Sequence, residues 1–78
     1  MVQISPLHRE ILFQLRENDA SYAEPVTSEE LGMILKVTPS YIRDQIQALV
    51  RMEMVGVRKG RGGGYYLPSE LNFQVKSG

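Results

Sequence analysis

Apolar residues recur at three- and four-residue intervals up to Val50, and beyond Met52 the spacing shortens to two. Leu7, Ile11, Leu12 and Leu15 mark one face of a first helix. Ser5-Pro6 announces its start: serine is a favoured cap, and proline suits a first position whose N–H lacks an intrahelical partner. Asn18-Asp19 ends it, and residues 19–25, with Tyr22 and Pro25, read as a loop. A short second helix follows, with Leu31, Ile34 and Leu35 inward and Thr27 and Glu30 at capping-box spacing. Glu29 and Glu30 complement its dipole, Lys36-Val37 closes it, and Val26 upstream suits a very short strand. Thr38-Pro39-Ser40 opens a third helix. At about 100° per residue, Ile42, Ile46, Leu49 and Val50 face in. Ser40, Asp44, Gln47, Ala48 and Arg51 face out, with Tyr41 and Arg43 at the flanks.

The period then changes. Residues 54–59 read as a strand, Gly60-Arg61-Gly62-Gly63-Gly64 as a turn, and Tyr65-Tyr66-Leu67 as a returning strand stopped by Pro68. Three helices followed by a two-stranded hairpin, with only Lys36-Val37-Thr38 between helices two and three, predict an α+β winged helix-turn-helix over residues 1–68. Residues 69–78 form a C-terminal tail, in which Leu71, Phe73 and Val75 alternate like a strand while Pro68-Ser69-Glu70 suits a helix start. His8 is expected to be partly exposed. Met33, Met52 and Met54 are expected to fill the core, as is one of Tyr65 and Tyr66.

The chain has 78 residues, enough for one small domain but too few to carve out a large substrate cavity. With no cysteine and a single histidine, the 78 residues exclude disulfide scaffolds, thiolate zinc sites and histidine-cluster metal sites. No cofactor is expected. Neither a nucleophile elbow nor a triad-like spacing is present, so the chain is not read as an enzyme and no small-molecule substrate is expected. The glycine run lacks a GK[ST] sequence and does not complete G-x-G-x-x-G, which argues against a nucleotide-phosphate loop. No signal peptide or membrane-length apolar window appears, and the expected location is cytoplasmic, on the nucleoid when DNA is bound.

Charge changes the picture more than composition does. Nine cations balance nine anions overall, yet residues 1–38 hold three cations and six anions, a net of −3. The remainder holds six cations and three anions, a net of +3. A dipolar chain of this kind orients its basic end on a polyanion. Arg58, Lys59 and Arg61 lie at the glycine-rich turn, whose backbone can approach another backbone closely. As a recognition helix, the third helix would bring Arg43 to guanine, Gln47 to adenine, and Ser40 and Tyr41 to phosphates. Asp44 opposes this unless it accepts from cytosine or pairs with an arginine. Taken alone, the helix is the polar face any small bundle has. Combined with a basic wing, it points to double-stranded DNA. The candidate contacts are Thr38, Ser40, Tyr41, Arg43, Asp44, Gln47 and Arg51 at the third helix, and Arg58, Lys59, Arg61, Gly62 and Gly63 on the wing.

Thr38-Pro39-Ser40-Tyr41-Ile42, then Leu49-Val50, then Gly60-x-Gly62-Gly63-Gly64-Tyr65-x-Leu67 resembles the N-terminal winged-helix domain of IscR/NsrR-type bacterial transcription regulators. The resemblance covers residues 26–68, and its GGGY-x-L wing is the more specific part. It implies a dimeric, sequence-specific DNA-binding regulator, with Ser40, Tyr41, Arg43, Lys59, Arg61 and Gly62 in contact with DNA. This sequence departs from the family at Met52-Glu53, where Ala-Gly is usual, and at Arg61, where the wing has proline. The family's cysteine cluster and C-terminal dimerisation helix have no counterpart in the 78 residues.

The alternative is a winged helix that docks a protein partner and leaves DNA alone. Neutral net charge, Asp44 and the exposed tyrosines favour it, whereas the cations at the glycine tip favour DNA. A homodimer remains open, because one module covers only about 600–1,000 Å² of DNA and specificity usually takes two copies.

Overall fold

All three predicted N-caps are formed in the computed structural model, which describes residues 4–68. Helix α1 spans Pro6–Glu17, α2 spans Ser28–Leu35 and α3 spans Pro39–Arg51. Thr27 and Glu30 close a reciprocal box: the Thr27 amide donates to Glu30 Oε1 at 2.9 Å and the Glu30 amide to Thr27 Oγ1 at 3.0 Å. The Tyr41 amide donates to Thr38 Oγ1 at 3.2 Å, which commits that hydroxyl to the cap of α3. Strands β1 (Gly56–Arg58) and β2 (Gly64–Tyr66) pair antiparallel, with Val57 opposite Tyr65. Val26 joins the far edge of β2 through an isolated bridge to Tyr65, a single-residue pairing in place of the very short strand expected there.

Ile11, Leu15, Leu31, Ile42, Ile46 and Leu49 are fully buried and form the trihelical core, which Val26, Val55 and Tyr65 extend beneath the hairpin. Helix α2 approaches the start of α3 closely because Gly32 faces it. A Cβ at Gly32 would lie 2.6 Å from the Val37 carbonyl oxygen. Lys36 ends α2 in the left-handed region (φ 62°), which turns the chain directly into Thr38.

Three expectations change here. His8 is buried, at 8% exposure. It stands at the third position of α1, where Nδ1 accepts from the Ser5 amide at 3.1 Å while the His8 amide donates to Ser5 Oγ at 3.2 Å. With Nδ1 accepting, the ring proton sits on Nε2 and donates to the Gln45 carbonyl at 3.0 Å, joining α1 to α3. Ile34 and Met33 point outward, at 46% and 78% exposure, because small Ser28 and Gly32 occupy the inner face of α2 and let α3 in. Met52 and Met54 pack against the core as expected, and of the tyrosine pair Tyr65 is the buried one. The tail, residues 69–78, lies outside the described residues.

Candidate nucleic-acid interface

The wing tip is built by glycine. The Gly63 amide donates to the Gly60 carbonyl at 3.0 Å, and Gly62 takes φ 75° at the third position of this four-residue turn. That is the type II arrangement, which leaves Arg61 on the outside of the bend. Gly63 closes it, since a Cβ there would meet the Arg58 carbonyl oxygen at 2.2 Å. Lys59, Arg61 and Gly62 are exposed at the tip. Lys59 and Arg61 form no hydrogen bond or ion pair among the described residues.

Arg58 differs from its two neighbours. Its Nη1 donates to the Tyr22 carbonyl at 3.0 Å, and its guanidinium lies 5.0 Å from the centre of the Tyr22 ring. Tyr22 in turn meets Tyr66 edge-on at 5.5 Å between ring centres. These contacts clamp the 19–25 loop to the hairpin and leave Arg58 half-buried. The wing's outward charge therefore rests on Lys59 and Arg61. Nothing in local spacing marks Tyr22, 36 residues away from Arg58, as its partner.

On α3, Ser40, Tyr41, Arg43, Asp44, Gln47 and Arg51 are all exposed along one side, as the wheel predicts. Asp44 forms no ion pair among the described residues. Arg43 does not extend freely. Its Nη1 donates to the Oγ of buried Ser28 at 3.1 Å and lies 3.8 Å from Glu29 Oε2. Burial pushes the Tyr65 phenol above the ordinary tyrosine range; the nearby charge of Arg43 lowers it in part and Glu29 raises it. Arg43, Ser28, Glu29 and Tyr65 thus meet where α2, α3 and the wing converge. A depression of about 180 Å³ beside them is lined by Thr27, Ser28, Glu29, Val57, Arg58, Gly63, Gly64 and Tyr65. Ser28 and Glu29 escape sequence reasoning as site residues, because Glu29 reads as a dipole partner and Ser28 as a second helix-start residue.

A trihelical core with a tight α2–α3 turn and a two-stranded hairpin after α3 is a winged helix-turn-helix, the class of domain that carries DNA recognition in many transcription regulators. Residues 8–72 match the Rrf2 family, described as iron-dependent transcriptional regulators, and the chain belongs to that family. Among solved structures, the fold is similar to that of CymR (YrzC), the global cysteine regulator of B. subtilis. The TM-score is 0.68 at 21% identity, over 86% of this chain and 53% of that one. The chain thus spans about half the length of the solved protein it matches. No curated protein sequence gives a significant match.

The family description raises the question of iron. Among the described residues no three of His, Asp or Glu converge on a common point, and the sequence has no cysteine. Both ring nitrogens of the single histidine are engaged, with Ser5 and Gln45. These residues do not fit an iron ion or a thiolate-held cluster. No helix among the described residues is long and apolar enough to cross a membrane.

Proposed function

We propose that the chain binds double-stranded DNA as the recognition domain of a transcription regulator. Helix α3 would enter the major groove, and Lys59 and Arg61 would lie on the flanking backbone or minor groove. The observation that carries this reading is the glycine-built tip, which leaves two cations unpaired among the described residues. Exposed cations on a glycine turn that approaches a neighbouring backbone closely suit phosphates. Ser40, Tyr41, Gln47 and Arg51 supply further polar reach from α3. Arg58 contributes by holding the wing in place, and Thr38 by capping the helix that enters the groove.

Two copies on one site would supply the specificity that a single small module lacks. The test is fluorescence anisotropy of a random-sequence duplex at several salt concentrations. Each neutralised phosphate contributes about −0.9 to the slope of log affinity against log salt. Replacing Lys59 and Arg61 with alanine together should flatten the slope by about two and weaken binding to every sequence alike. A wild-type protein that binds no duplex, or a slope that the double variant leaves unchanged, overturns the reading and favours a protein-docking wing.

A further inference from the structure

The Arg43 guanidinium is the one candidate base-reading group that the fold already occupies. Arg43 leaves the exposed side of α3, yet its tip reaches back to the first turn of α2. There it has two acceptors of different character. Ser28 Oγ is buried with its residue; it accepts from Arg43 and donates to Glu29 Oε1 at 3.4 Å. The Glu29 carboxylate is well exposed, carries charge, and stands on the surface that α3 would turn toward DNA. Among the described residues no other ion pair forms. A guanine edge or a phosphate asks for the same guanidinium hydrogens that face Glu29.

Resting on the DNA-binding reading above, we propose that Glu29 is a specificity-determining residue that acts through Arg43. In the free protein it holds the guanidinium back toward α2. DNA takes the guanidinium only where it offers a better acceptor than the carboxylate does. Base preference at the step Arg43 reads is therefore set by position 29 as well as by Arg43 itself. Glu29 also repels phosphates by its charge alone, and a double-mutant cycle separates the two effects.

The experiment compares wild type, Glu29→Gln, Arg43→Ala and the double variant. Each is titrated into the random-sequence duplex and also put through selection from a randomised duplex library. Thermal melts establish that each is folded, and Arg43→Gln replaces Arg43→Ala if the latter is not. Exposed ion pairs place the coupling at about two- to fivefold in affinity. Glu29→Gln should tighten binding by that factor more when Arg43 is present than when it is absent. It should also broaden the preferred base at one step only in the presence of Arg43. Equal tightening in both backgrounds, or an unchanged base preference, overturns the proposal while leaving DNA binding intact. Failure of the wild type to bind any duplex overturns the DNA reading itself and this proposal with it.

Discussion

His8 performs two tasks with one ring, and two substitutions separate them. Its Nδ1 returns the cap bond of Ser5, and its Nε2–H ties α1 to the Gln45 carbonyl of α3. The backbone carbonyl has a second lone pair, so losing the histidine does not orphan it. Each bond is then worth about 1 kcal/mol net. His8→Gln keeps an acceptor at the third helical position, where glutamine closes capping boxes, but with its Oε1 turned to the Ser5 amide its Nε2 no longer points at the Gln45 carbonyl. It should cost about 1 kcal/mol, or roughly 4–8 °C in Tm for a domain of this size. His8→Ala loses both bonds and the packing of a buried ring, about 2–3 kcal/mol together, and should lower Tm by roughly 10–20 °C. Urea and thermal melts followed by circular dichroism at the helical band give both numbers. A wild-type melt for His8→Ala, or identical melts for the two variants, would refute the division of labour. Ser5→Ala supplies the control, with an expected loss of about 1 kcal/mol.

Gly32→Ala should destabilise the domain by about 1–3 kcal/mol despite alanine's better helix propensity, because its Cβ meets the Val37 carbonyl oxygen at 2.6 Å and the Pro39 nitrogen at 3.3 Å; chemical denaturation reads this directly. Tyr65 predicts a pH dependence. Its phenol is pushed up mainly by burial, so the folded state prefers the neutral form. That contribution is complete below the unfolded tyrosine value of about 10 and is lost as pH rises through the higher folded value. Melts between pH 8 and pH 11 should show an alkaline fall in stability that Tyr65→Phe reduces, and a fall of equal size in the variant would assign it to other groups.

Much of this fold is legible in the sequence because its signals are local. Ser5-Pro6, Thr27 with Glu30, and Thr38-Pro39 each set a cap through groups no more than three residues apart, and all three form. The inner faces of α1 and α3 follow from apolar spacing, whereas that of α2 does not. Ser28 and Gly32 look like surface or breaker residues, and only the proximity of α3 makes their small size the reason they are buried. The candidate site divides the same way. The exposure of Ser40, Tyr41, Asp44 and Gln47 comes from helical periodicity alone. What Arg43 and Arg58 touch does not, since Ser28 is 15 residues away and Tyr22 is 36 away. Equal-looking arginines thus separate into one that clamps a loop, one bonded to Ser28 beside the Glu29 carboxylate, and Arg61, exposed at the tip.

Beside the Arg58–Tyr22 clamp, the bridge between Val26 and Tyr65 ties the wing by its backbone to the start of α2. The two amides exchange bonds at 2.9 and 2.8 Å across 39 positions of chain. Whatever shifts the start of α2 therefore drags β2 with it. Closing so long a loop carries an entropic cost that neighbouring contacts along the chain do not. The helices can assemble before the wing is seated, and the wing can unseat while they persist. Amide exchange at Val26 and Tyr65 should accordingly rise together, earlier than at Ile46 or Leu49, so that one opening event is recorded by two amides 39 positions apart.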